Sequence, residues 1–545
     1  MQDRTPNWYI EDVSKTAILC TRLLLLSAVL PLLLITCGDK HPVSESPNIL
    51  RIGTPDRVQS ANIFLDSNLS LFAHISNPPL MKIDREGRLT GQTLKDIHVS
   101  DDYKFWTLTV SDNLYWSDGR KTTAEDIRFS ILYTKDKNPS AGWLNEIVED
   151  VTVENSGQVL VRLKKPYTRL DFELATLKTL PEHIWSKIPD PMKHTNPKAN
   201  LGCGPFFIRS INFQKGVIHF AKNPFWKGKS PTIDGIEIHI YSNRDTLALA
   251  LDKGEVDAYY SYASSYPYSN LQKLKNSTRF EFIEYLNTGL VFLGFNLKRV
   301  PMSDLDFRNA VCLSIDFEEI IKLYLLGYGQ TPNRGLIPPT MEHFKETPAL
   351  IFDSTRAREI LRQANYLDSN GNGIIEDLNG TDISLSLLTK SKFARITELV
   401  STYLQELGIK TQIKSVDDST WVSLKDRYNY DLTISRTSPW GMYMHADWAT
   451  GYFDVRRTGG GVLHTVDDIR FLSLCDNLLS TKEREDLQSY AFAVQDYYAK
   501  NLPAIALTWN TIVFPVSRAY SGWIMDPLYG LYTLDSFLNI ERASR

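Results

Sequence analysis

The thirteen residues from Arg436 to Trp448, RTSPWGMYMHADW, hold two Trp, one Tyr, two Met, one Arg, one His and one Asp. A core segment would avoid the charges, and a solvated loop would avoid so many large flat side chains. What the mixture is for needs the rest of the chain. The Arg436 guanidinium suits carboxylates, which it binds through forked hydrogen bonds. Trp440 and Tyr443 offer flat walls. A neutral His445 imidazole could take one open position on a chelated metal, and protonation near a pKa of about 6.5 would end that bond. One His is too little for a bare metal site. The other reading of His445 is an ordinary, partly buried histidine.

Signatures of enzymatic chemistry are absent. There is no GxSxG, HExxH, Walker GxxxxGK[ST] or GxGxxG, and none of the ten His stands four residues from another. Asp101/Asp102 and Asp417/Asp418 lie in polar stretches and read as solvated turns. Absence of motif does not exclude a hydrolase, but nothing in the sequence argues for one. One stretch, DSNGNGIIEDLNG, has the start of a calcium loop: Asp368, Asn370 and Asn372 at positions 1, 3 and 5, with Gly373 at 6. Position 12 is Asn379 rather than Glu, and a strand pattern follows. A turn-rich connector is the expectation, with Glu376 able to supply one carboxylate if calcium is held.

These residues need elements to place them. YDLTIS, just before Arg436, reads as a strand. TTAEDIRFSILYT reads as a helix opened by a capping box of Thr122 and Glu125. EDVTVENSGQVLVRLKK reads as a hairpin turning at Asn155, Ser156 and Gly157. FARITELVSTYLQELG puts Ile396, Leu399, Val400, Tyr403, Leu404 and Leu407 on one helix face and stops at Gly408. IKTQIKSV follows as a strand, so strand and helix alternate in α/β fashion. Two helices, about 466–479 and 482–500, precede the apolar strand PAIALTW.

The chain has 545 residues, 43% hydrophobic and 23% charged, with a formal net charge of −4. That length allows more than one core, and the charge gives no electrostatic case for a nucleic-acid partner. Residues 1–36 read as a signal peptide. After Arg22 the apolar run LLLLSAVLPLLLIT is 14 residues, short for a membrane span. Cys37 at its end suggests a lipoprotein signal, with the thiol as the lipidation site and 37–48 as a tether. An uncleaved signal-anchor helix is the alternative, and either leaves the remainder exported and tethered. The other cysteines, Cys20, Cys203, Cys312 and Cys475, show no disulfide framework or zinc spacing.

Several segments, in order, carry a resemblance. LYWSDGRKTTAEDIRFSILY, GCGPFFIRS, NPFWKGKSPTIDGIEIHIYSNRDTLALALDKGEVDAY, LGFNLKRVPMSDLDFRNAVCLSIDFEEIIKLYLLGYGQ and FDSTRAREILRQANY resemble the family 5 extracytoplasmic solute-binding proteins, the peptide and nickel binders of ABC importers. The resemblance runs from about 50 to 510. It implies an α/β, two-lobed periplasmic-binding-protein fold that closes over a ligand in an interlobe cleft. Lobe 1 would comprise 49–82, 203–290 and 505–545, with 83–202 inserted as a subdomain, and lobe 2 would be 291–504. It also implies a monomeric, non-enzymatic, lipid-anchored extracytoplasmic protein that hands a peptide-like solute to permease subunits, or alternatively a nickel or other metal chelate. RTSPWGMYMH is similar to the nickel-chelate binders' segment, with Arg436 and His445 at the same spacing. Trp143 and Lys178 occupy positions where those proteins use a Trp and a cation. The expected ligand-binding set is thus Trp143, Lys178, Arg436, Trp440, Tyr443 and His445, with His445 on the metal if the ligand is a chelate.

Overall fold

Fourteen consecutive residues, Ala504–Ser517, make one strand that is buried along nearly its whole length. Burial on both faces explains why its sequence is continuously apolar rather than alternating. Its first part pairs antiparallel with Val291–Phe295 and its second part with Phe280–Leu286. Those two partners follow one another in the chain. Two segments therefore pass from one half of a twelve-stranded sheet to the other. The protein is two-lobed about these crossings.

The computed structural model describes residues 47–63, 69, 72–83, 89–138, 141–194, 196–262, 264–437, 444–457, 463–481, 483–526 and 530–543. The signal-like run, residues 37–46 of the tether with Cys37, Trp440 and Tyr443 lie outside them. In the first lobe Ile49–Thr54 runs parallel to Gly235–Ile240 and Ala258–Tyr259, and Val217–Lys222 and Phe206–Asn212 extend the sheet antiparallel. In the second, Ser384–Lys390 runs parallel to Lys410–Val416 and Leu432–Arg436. A separate four-stranded antiparallel sheet, Leu94–Val99, Phe105–Val110, Gln158–Leu163 and Val148–Asn155, packs beneath the helix Ala124–Lys137. Buried apolar residues form four clusters. One joins Leu50, Ile236 and Val513, two fill the second lobe, and one lies under the smaller sheet.

Local chemistry explains the elements. The capping box at Ala124–Lys137 is present one residue later than the sequence suggested. Thr123 caps, and Asp126 returns its carboxylate to the Thr123 amide at 2.8 Å. Asp126 wins because its other oxygen takes the Glu182 amide at 2.9 Å, which ties the helix to the neighbouring segment. The hairpin turns between Asn155 and Gln158. The helix Ala394–Glu406 buries Ile396, Val400, Tyr403 and Leu404 and is followed by Gly408 at φ +85°. A side chain at Gly202 or Gly204 would place Cβ 2.3 Å and 2.2 Å from the Ser76 and Ile75 carbonyl oxygens, so only glycine permits this crossover. In the loop 368–382, Asp368 accepts from the Asn372 and Gly373 amides, and buried Glu376 accepts from the Ser369 and Asn370 amides. Those oxygens hold a turn.

Candidate functional site

In α/β sheets the crevice outside the carboxyl ends of the strands is where ligands bind. Here the carboxyl ends of parallel strands from both lobes converge. Ile49–Thr54 and Ala258–Tyr259 deliver Asp56 and Tyr262 from one side. Ser384–Lys390 and Leu432–Arg436 deliver Lys392 and Arg436 from the other. A cleft of about 240 Å³ opens there, walled by Arg244, Tyr268, Tyr324, Lys392, Phe393 and Arg436 among others, with Thr508 and Asn510 of the crossing strand. At about 30 Å³ per water in the liquid, that is room for roughly eight waters or one small solute.

Arg436 is held across the gap. Its Nη1 donates to the Tyr262 carbonyl at 3.0 Å and lies 3.2 Å from Ser264 Oγ, with the guanidinium 5.4 Å from the Tyr262 ring centre. Burial lowers its pKa, while Tyr262 and Asp56 pull the other way. Asp56 accepts from the Tyr262 amide at 2.6 Å. Burial pushes its carboxyl up, against that hydrogen bond and the attraction of Arg244 and Arg436. On the opposite wall Asp418 pairs with Lys390 at 2.5 Å and stands 3.9 Å from Lys392. Lys392 is pushed down to about 8, by burial first and then by Arg436, Lys390 and Arg244, with Asp418 opposing. Removing cations from water side by side disfavours the charged form, which is the physical content of that depression.

The expected ligand residues divide. Arg436 lines the cleft. Trp143 begins the short helix Trp143–Ile147, half-buried against the smaller sheet's core. Lys178 bridges its backbone to Pro79, and burial brings its ammonium down to about 8. His445, 1% exposed, lies on the helix Met444–Trp448 and donates from Nε2 to the Glu342 carbonyl at 2.7 Å. Burial, with His343 adding to it, lowers its pKa to about 4. Trp143, Lys178 and His445 are not part of the described cleft wall. Among the described residues there is no cluster of three or more His, Cys, Asp or Glu that could hold a metal ion, and no helix long and apolar enough to cross a membrane.

Sequence reasoning missed Asp56, Arg244, Lys392, Tyr268 and Tyr324. A signal existed for three of them. Asp56, Arg244 and Lys392 each stand within four residues of a strand's carboxyl end, at Thr54, Ile240 and Lys390.

Comparison with known proteins gives the fold a lineage. The probable D,D-dipeptide-binding periplasmic protein of Escherichia coli (strain K12) is 24% identical over 62% of this chain and 63% of its own length. The chain thus spans under two thirds of that relative. The nickel-binding periplasmic protein of the same organism is 21% identical over 77% of this chain and 79% of its own. The solved structure of NikA from Brucella suis in complex with Fe(III)-EDTA superposes with a TM-score of 0.80 at 16% identity, covering 91% of this chain and 100% of that one. Residues 88–458 match the sequence profile of the bacterial extracellular solute-binding proteins, family 5. With well over half of its length matched and the two-lobed architecture in place, the chain belongs to family 5 of the bacterial extracellular solute-binding proteins.

Proposed function

We propose that the protein captures a peptide-like solute in the interlobe cleft and delivers it to the permease of an ABC importer. It would do so outside the cytoplasm as a monomer, tethered through a lipid on Cys37, and without catalysing a reaction. The observation that carries this reading is the convergence of Asp56 and Arg244 from one lobe with Lys392 and Arg436 from the other around a cleft at the two crossing segments. Such a cleft can close as the lobes rotate about those segments. The relative named for D,D-dipeptides favours a short peptide. Trp143 and Lys178 would approach from the smaller sheet, and the aromatic rings of Trp440 and Tyr443, which lie outside the described residues, suit a flat ligand group. The test is incubation with a mixture of short peptides followed by recovery of the protein. Intact peptide on the protein supports capture, and cleaved product supports the rival exported hydrolase.

A metal chelate is the second reading, and His445 favours it. A carbonyl can only accept, so the bond to Glu342 fixes the proton on Nε2 and leaves the lone pair on Nδ1. Among the described residues that buried Nδ1 has no hydrogen-bond partner. A histidine oriented by a second-shell carbonyl is how proteins present a metal ligand. With one imidazole available, a chelator would supply the remaining donors. Calcium in the 368–382 loop would have to draw Asp368 and Glu376 away from the amides they now hold.

A further inference from the structure

The chain as a whole is acidic, with a formal net charge of −4, yet its cleft is basic. Arg244, Lys392 and Arg436 line it directly. Lys390 stands beside Lys392 and shares Asp418 with it, and Arg395 is close enough to act on the cleft residue Tyr324. Facing these five cations are the carboxylates of Asp418 and Asp56, with Asp245 and Asp252 acting on the cleft residue Tyr266 from Arg244's helix. Asp418 is engaged by Lys390, and Asp56 is occupied by the Tyr262 amide and the Ser261 hydroxyl. The other titratable groups on the wall, Tyr266, Tyr268 and Tyr324, are phenols whose ionisation burial pushes up. They bring no charge at neutral pH.

We infer that the cleft selects a polyanionic solute, one bearing at least two carboxylates beyond any amino-terminal charge, which is met by Arg436 and Lys392 from one lobe and Arg244 from the other. The inference rests on the solute-capture reading and narrows it. Across the gap Arg244 repels both Arg436 and Lys392 while Asp56 attracts Arg436, so an empty cleft closes with its cations only partly offset, whereas an anion between them adds attraction to both lobes. Closure is thereby coupled to the charge of the cargo. The Lys392 ammonium is depressed by burial first and then by Arg436, with Lys390 and Arg244 adding to it against Asp418. The aromatic walls Tyr268, Tyr324 and Phe393 give an apolar backbone or stem a dry surface. An acidic dipeptide and a small polycarboxylate, free or metal-bound, share this chemistry.

The experiment is calorimetric titration of the mature chain with Glu-Glu, Ala-Ala, Lys-Lys, citrate, and citrate with nickel, at low and at high salt. Glu-Glu or citrate should bind at least tenfold more tightly than Ala-Ala at low salt, and the preference should shrink at high salt. Lys392→Met and Arg244→Gln, at side chains that keep part of their surface in water, should each lower the ratio of anionic to neutral affinity several-fold. Binding at pH 8 should take up a proton in the wild type, read from buffers of different ionisation enthalpy, and not in Lys392→Met. The arm that binds best separates peptide from polycarboxylate. Equal affinity for Ala-Ala, Lys-Lys and Glu-Glu would overturn the charge selection while leaving solute capture standing. Binding of none of the five probes would count against capture itself.

Discussion

Arg169 offers the sharpest perturbation of closure. It precedes the short helix Leu170–Leu174 beside the smaller sheet, and its side chain is 3% exposed. Its Nη2 donates to Asp447 Oδ1 at 3.0 Å, on the helix that follows the strand Leu432–Arg436 in the other lobe. Next to it the Thr168 hydroxyl donates to the Thr481 carbonyl at 3.1 Å. Burial opposes the charge on Arg169, but Asp447, Tyr167 and Glu173 outweigh it and hold the guanidinium protonated. Hydrogen bonds to charged groups contribute about 1.5–3 kcal/mol. The Asp447 side chain is 55% exposed, so solvent screening reduces Asp447→Asn to about 1–2 kcal/mol. That predicts a roughly 5- to 30-fold weaker affinity for any bound solute, at 1.4 kcal/mol per tenfold. Because the pair forms only where the lobes meet, the loss should appear as faster dissociation with little change in association. The unfolding entropy of a chain this size makes 1 kcal/mol worth only about 1 °C in melting temperature. Stopped-flow release of a bound solute, run beside a thermal melt, is the assay. Unchanged release with a melting loss above about 5 °C would show that Arg169 and Asp447 support the fold and do not govern closure.

Other expectations follow from single residues. Burial pushes the Asp171 carboxyl up to about 6. The native state therefore binds its proton more readily than the unfolded chain, and the cost of the buried charge is absent below about pH 4 and complete above about pH 6. Asp171→Asn should stabilise the protein by about 1–3 kcal/mol at pH 7.5 and not at pH 4, read by denaturant titration. His445, with its pKa lowered to about 4, stays neutral in the native state through pH 5. Between about pH 4 and 6.5 stability should fall as pH falls, while any metal-chelate binding through Nδ1 should persist to about pH 5, and His445→Ala should abolish both effects. Gly204→Ala forces Cβ to within 2.2 Å of the Ile75 carbonyl oxygen, so it should cost more than about 2 kcal/mol or prevent soluble expression. Cys37→Ser should release the mature domain from membranes on fractionation without changing its melting temperature. A variant that stays membrane-bound at its processed size would contradict lipidation.

Much of the local architecture was readable because it depends on neighbours in the chain. The hairpin at Asn155, the apolar face of Ala394–Glu406 and its stop at Gly408 all follow from periodicity and turn chemistry. The capping box shifted from Thr122 to Thr123 because a contact 56 residues away, to Glu182, decides which acid turns inward. The strand Ala504–Ser517 was read only as far as Trp509. It continues through Pro515, which pairs opposite Phe282 within the ladder. Of the expected ligand residues, Arg436 lines the candidate cleft, carried there by the strand that the sequence already showed. Arg244 and Lys392 are 148 residues apart, ordinary surface cations in the sequence, and only the meeting of two lobes makes them one charge cluster. His445 was read from spacing alone, and spacing could not show that its Nε2 donates to the Glu342 carbonyl, 103 residues away in the chain.

Solute capture in the interlobe cleft is tested most directly by native mass spectrometry of the mature chain, purified without unfolding, with Arg436→Ala as its pair. Arg436 spans the cleft to the Tyr262 carbonyl, so the account predicts one intact small solute per chain on the wild type, either carried through purification or added as a peptide or chelate. It predicts loss of that solute from the Arg436→Ala protein, which should remain folded. A wild-type protein that holds no small molecule and takes up neither peptide nor chelate, or that returns peptides cleaved, would contradict it.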